Sequence, residues 1–104
     1  MNMMKMMKQA ADMQKNMAKV QDALAAQDLE AQSGGGAVTV TISGDGNVKA
    51  VRIDPQVLES GDAEMLEDLV LAAVQSAQAT AKETAAAEMK KVTAGMGLPP
   101  GMGF

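Results

Sequence analysis

Apolar residues open the chain at Met3, Met6, Ala10, Met13, Met17, Val20 and Leu24, spaced alternately by three and by four. That is the repeat of a helix with one stripe laid against another helix. It predicts a first helix from about Asn2 to Gln27, roughly 39 Å long at 1.5 Å per residue. A helix of that length outruns the core a small domain can offer, so part of the stripe must meet a second chain or project into solvent. The period then changes to two. Val38, Val40 and Ile42 alternate with Thr39, Thr41 and Ser43, after the turn-forming Gly34, Gly35 and Gly36. A half-buried strand follows from that alternation. Ser43, Gly44, Asp45, Gly46 and Asn47 make a turn cluster before Val48 to Ile53, so the two strands read as a hairpin. Leu29 to Ser33 is a further candidate strand, which would complete a three-stranded meander. The last strand breaks its alternation: Val51 and Ile53 share a face with Lys49, and Val48 and Ala50 share the other with Arg52. Either a bulge intervenes or both faces are partly covered.

Asp54-Pro55 is the pattern of a helix cap with proline in the first turn, opening a short helix through Leu58 or Glu59 before Gly61 interrupts. A second long helix is predicted from about Ala63 to Val92, roughly 45 Å. Asp62 caps it, Glu64, Glu67 and Asp68 lie near its start, and Lys90 and Lys91 close its last turn, each with the sign the helix dipole favours. Leu66, Leu69, Val70, Ala73, Val74, Ala77 and Ala81 form its apolar face. From Thr93 to Phe104, with four glycines and Pro99-Pro100, no period is left. The organisation expected is therefore one domain over residues 1–92 and a flexible Gly/Met/Pro tail over 93–104.

At 104 residues there is room for one modest core, and with no cysteine neither a disulfide nor a thiolate metal site can brace it. Oligomerisation is the staple that remains. Residues Met1 to Lys8 lack the continuous apolar run of a secretory signal, and no stretch approaches the roughly 20 apolar residues of a membrane span. A soluble cytoplasmic protein is expected. Histidine is absent too, which removes the commonest general base beside the strongest nucleophile.

Other chemistry fails on spacing. Glu64, Glu67 and Asp68 are explained by the helix N-terminus. Gly44-Asp45-Gly46-Asn47-Val48-Lys49 begins like a dinucleotide fingerprint, but Lys49 stands at the third glycine and a strand follows where a helix is required. Asp45 also starts a calcium-loop pattern, yet its twelfth position is Gln56 rather than glutamate. The methionines, 11 in all, are of the type that selects Cu(I), but the helical stripe already accounts for Met3, Met6, Met13 and Met17 as adaptable packing. No enzyme, metal or cofactor is expected.

The net charge of −4 and pI near 4.6 argue against a polyanionic partner only on average. Met1 to Val20 carry Lys5, Lys8, Lys15 and Lys19 against Asp12 alone, while Asp54 to Asp68 hold six acids and no base. Each of those four lysines lies two residues beyond a stripe position, about 200° round the helix from it. They form one cationic stripe opposite the apolar one, diluted by Asp12 and Asp22. It reads either as a solvated face that keeps the protein soluble or as a row of phosphate contacts. With no Trp or Tyr and Phe104 as the sole aromatic residue, bases cannot be stacked as single-strand and RNA binders require. Duplex DNA held through its backbone is the nucleic acid that remains.

The chain resembles the YbaB/EbfC family of nucleoid-associated proteins over nearly its whole length. The resemblance is carried by the methionine- and lysine-rich opening helix, then Gly36-Ala37-Val38-Thr39-Val40-Thr41-Ile42-Ser43-Gly44 and Val51-Arg52-Ile53-Asp54-Pro55 with Leu58. Met65-Leu66-Glu67-Asp68-Leu69-Val70 and Gly97-Leu98-Pro99-Pro100-Gly101 follow in the same order. It implies an α+β fold, α-β-β-β-α, with a small antiparallel three-stranded sheet between two long helices. It further implies a tweezer-like homodimer gripping double-stranded DNA in the nucleoid, with no membrane and no small-molecule substrate. Carried onto this sequence, the DNA-binding residues expected are Lys5, Lys8, Lys15 and Lys19 on the first helix and Lys82, Lys90 and Lys91 on the second. The dimer or helix seam expected is Met3, Met6, Met13, Met17, Val20 and Leu24. Lys49 and Arg52, on the sheet, are left out. Arg52 is the only arginine, so bidentate reading of guanine is nearly unavailable and strong sequence preference is not expected. The competing reading is a protein-interaction module that uses the Met-rich helix and the acidic segment Glu59 to Asp68 without touching DNA.

Overall fold

The structure, a computed structural model, describes residues 2–95. Helix α1 spans Met3–Ala26. Asn2 starts it, its side-chain oxygen accepting from the Met4 N–H at 3.0 Å, which satisfies one of the donors a helix start leaves open. Gln27 ends it in extended geometry while its N–H donates back to the Leu24 carbonyl. Strand β1 follows at once over Asp28–Ser33, one residue earlier than the alternation of Leu29 to Ser33 suggests. Strands β2, Val38–Ser43, and β3, Val48–Ile53, complete an antiparallel sheet in the order β1-β2-β3. The β1–β2 turn has three successive glycines at positive φ, Gly34, Gly35 and Gly36, a backbone that L side chains rarely adopt.

The irregular alternation of β3 is a bulge. Val40 pairs with Val51 and Thr41 with Ala50, but Ile42 pairs with Val48, so Lys49 is the extra residue. Passing over Lys49 puts Val48, Val51 and Ile53 on the face that carries Val38, Val40 and Ile42. Across β2, Leu29 and Ala31 pair with Ile42 and Val40 and join the same face.

Asp54 caps the short helix α2, Pro55–Glu59, with its side chain accepting from the Gln56 N–H. Gly61, at φ 68, turns the chain into α3, Ala63–Gly95. Asp62 caps it, accepting from the Met65 N–H at 3.0 Å. The helix runs to Gly95 rather than ending at Val92, so Lys90 and Lys91 stand before its last turn, which holds no base. Helix thus continues three residues into the stretch read as a tail. The rest of that tail lies outside the described residues.

The core is one layer of small and branched side chains between sheet and helix. Ala31, Val38, Val40, Ile42, Ala73, Ala77 and Ala81 are buried, with Leu29, Ile53, Leu66, Leu69, Val70 and Val74 packed around them. All seven α3 positions read as apolar from the period are present. Alanines at 73, 77 and 81 let the helix backbone approach the sheet closely. The helix lies over β1 and β2, and the part of the face supplied by β3 stays open: Val48 and Val51 are each 46% exposed.

Helix α1 is anchored at one end. Leu24 is buried against Gly44, at the end of β2, and Met13, Met17 and Val20 are half-buried. Met3, Met6 and Ala10 are exposed. The molecule is consequently long, 69 × 23 × 16 Å, with a radius of gyration of 19.3 Å against about 13 Å for a compact domain of this length.

Candidate nucleic-acid interface

Along α1 the seam residues and the lysines divide the helix between them. Leu24, and with it Val20, Met17 and Met13, turns toward the body, so Lys5, Lys8, Lys15 and Lys19 point away and are all exposed. By helical geometry the four fall within an arc of about 80°. No ion pair among the described residues draws in Lys5, Lys8, Lys15, Lys19 or Lys82. Asp12 interrupts the arc and Asp22 stands at its base.

The lysines of α3 are arranged differently. Lys82 and Lys91 lie about 180° apart round the helix with Lys90 between them, so no single face holds all three. Lys82 lines a cleft of about 440 Å³ with Gln21, Leu24, Asp45, Gln78 and Ala85, where α1 meets α3. Lys91 is engaged by Glu88 at 3.2 Å, one turn back. The structure therefore brings four of the seven expected contact residues onto one face and leaves the α3 group on separate sides.

The sheet cations are spoken for. Lys49 Nζ meets Asp28 Oδ1 at 2.6 Å, and Arg52 reaches Glu30 at 3.9 Å. Both pairs span from β3 to β1 over the central strand, on the face turned away from α3, where Thr39 and Ser43 are buried beneath them. These exposed pairs add little stability, about 0–1 kcal/mol each, but they neutralise the cations on this face. Their partners are two strands away, so only the strand register reveals them. The Glu88–Lys91 pair, at i,i+3, has a spacing that a sequence does show.

In the β2–β3 turn the Asp45 carboxylate accepts from the Ser43 hydroxyl and from the Asn47 side-chain amide, which is turn chemistry. Among the described residues no group of three or more acidic side chains is placed to hold a metal ion, and no helix is long and apolar enough to cross a membrane.

Fold and charge together define a small α+β protein that presents a cationic helical arm from an acidic body. The chain belongs to the YbaB/EbfC DNA-binding family, whose model matches residues 1–96; the family binds DNA and is not one of enzymes. It is 49% identical over 104 residues to a nucleoid-associated protein of Akkermansia muciniphila, covering both chains completely. With a nucleoid-associated protein of Alkaliphilus metalliredigens it shares 49% identity over 98 residues, 94% of this chain and 86% of that one. The crystal structure of an uncharacterized protein from Helicobacter pylori superposes with a TM-score of 0.75 over 92% of this chain and 97% of that one, at 22% identity. That likeness establishes the fold.

Proposed function

We propose that this protein is a nucleoid-associated protein that binds duplex DNA as a homodimer, through phosphate contacts from the lysines of its helical arms. The observation that carries the reading is the α1 stripe: four exposed lysines, free of ion pairs among the described residues, on one face of an arm whose opposite face packs inward from Met13 to Leu24. In a chain of net charge −4, such a stripe gives a polyanion a local foothold while the acidic body repels it. Lys5, Lys8, Lys15 and Lys19 form the principal contact row. Lys82, Lys90 and Lys91, on different sides of α3, add further phosphate contacts. Lysine acts on phosphate as a point charge and reads no base, so binding tolerates sequence. The site of action is the nucleoid, in the cytoplasm.

The dimer surface best supported is the uncovered part of the sheet face, Val48 and Val51, together with the exposed Leu71 on α3. Leu71 is an i,i+3 neighbour of Val74, which packs on the core. Of the α1 seam, Leu24 is spent within the chain, and the exposed Met3 and Met6 are left to add contacts between arms.

Gel retardation of a duplex at two salt concentrations tests the reading. Log affinity is expected to fall by about 0.9 per phosphate contact for each tenfold rise in salt. Replacing Lys5, Lys8, Lys15 and Lys19 by Gln should weaken binding to every sequence alike and flatten that slope. Absence of retardation at low salt, or a slope unchanged by the four substitutions, would overturn it.

A further inference from the structure

We propose that Met4, with Met7 beside it, is an apolar wedge at the edge of the lysine face of α1, which enters the minor groove of duplex DNA and unstacks a base step while Lys5 and Lys8 hold the flanking phosphates. The inference rests on the DNA reading above and adds what the tip of the arm does there.

The seam explains Met3 and Met6 but not Met4. At 100° per residue, Met4 stands about 150° from the middle of the seam and only about 55° from the middle of the lysine arc. Met7 falls between the two. Met4 is 79% exposed and Met7 68%, so neither contributes core. Lys8 is the i+4 neighbour of Met4, on the same strip of helix surface. The first acid on the arm is Asp12, so residues 2–11 carry Lys5 and Lys8 unopposed. Charge complementarity therefore points this apolar pair at a polyanion.

Its extent selects duplex DNA over a lipid surface. Met4 and Met7 are about 4.5 Å apart along the helix axis, close to the roughly 3.4 Å between successive bases. Beyond them the lysine face carries Asp12, Lys15, Lys19 and Asp22, with no large apolar residue. An interfacial membrane helix needs an exposed apolar face along its length, whereas the apolar stripe of α1 is exposed only as far as Ala10 and from Met13 onward turns toward the body. A minor-groove wedge needs one or two apolar side chains beside cations, and methionine is among the residues that serve.

The test uses the full chain and a Met4→Gln/Met7→Gln variant, which keeps charge and nearly the same helix propensity. An A·T-rich duplex carrying 2-aminopurine reports unstacking as a rise in fluorescence, and retardation of the same duplex at low salt reports binding. The wild-type chain is expected to raise the fluorescence. The variant should bind within about tenfold of wild type, with the same salt slope, and lose most of the rise; Met4→Leu in the variant background should recover it. Bound duplex with unchanged fluorescence, or a variant that unstacks as well as wild type, overturns the wedge and leaves DNA binding standing. No retardation by either protein removes the DNA reading and the wedge with it. Sedimentation with anionic phospholipid vesicles should show no dependence on Met4. Met4-dependent vesicle binding with no unstacking of DNA would overturn the wedge in favour of a lipid surface.

Discussion

Gly44 shows how closely α1 is seated on the sheet. A Cβ there would lie 2.9 Å from the Leu24 carbonyl oxygen and 2.9 Å from a Leu24 methyl, and the backbone atom cannot swing aside. The glycine is needed for space, since its φ is not among the positive ones. Gly44→Ala is expected to destabilise the fold by about 1–3 kcal/mol through overpacking. Leu24→Ala should cost about 2–5 kcal/mol through the cavity it leaves. The double variant should lose clearly less than the sum, because a smaller residue at 24 relieves part of the clash. Urea denaturation of the three variants checks this, and strict additivity would show that the two residues do not share the contact. Leu24 was legible in advance as the last position of the α1 repeat. Its partner was not, because a glycine ending a strand reads as turn chemistry and gives no sign of what lies against it.

At the scale of elements, α1 is two helices in one. Residues 2–12 are all exposed, whereas Leu24 is buried, so the first turns are held by their own hydrogen bonds and the Asn2 cap. Short stretches of helix without tertiary packing are marginal in water. Amide hydrogen exchange should show residues 5–11 exchanging at least about tenfold faster than residues 20–26 and far faster than β2. Asn2→Ala should widen that gap, with a local loss of about 0.5–2 kcal/mol, and leave the denaturation midpoint of the whole chain nearly unchanged. Equal protection along α1 in the isolated chain would contradict the anchoring described. The apolar faces were the legible part of the fold, since α3 buries the positions its period marks and β2 its alternating valines and isoleucine. The bulge at Lys49 was legible as a fault in the alternation, although only the pairing shows which residue is passed over. The end of α3 escaped the period because Thr93-Ala94-Gly95 has none. Of the interface, the α1 stripe was visible in the spacing. The scatter of Lys82, Lys90 and Lys91 and the placing of Met4 at the edge of the lysine face emerge only when each is set on the same helical wheel as the packed residues.

For the whole molecule, shape and charge lead to the same arrangement. A body with six acids between Asp54 and Asp68 would repel DNA across a broad contact, but the stripe stands on an arm of a particle 69 Å long. One arm with a few lysines gives weak, salt-sensitive binding. Two arms joined through one body turn the second contact into an intramolecular event, which raises avidity by about 10²–10⁴ when geometry permits both. The exposed valines of β3 are where that joining is proposed. Val51→Asp puts a charge at a position 46% exposed in the single chain, so the monomer fold should tolerate it while an interface should not. Sedimentation equilibrium is expected to give twice the chain mass for wild type and the chain mass for Val51→Asp, with the circular dichroism of the two alike. DNA affinity at low salt should fall by at least about a hundredfold in the variant, with its salt slope roughly halved. If the variant turns monomeric and still binds DNA as tightly as wild type, each arm acts alone and the two-armed grip is wrong. If it stays dimeric, the surface on β3 is not the interface, and the exposed methionines at the start of α1 become the place to substitute next.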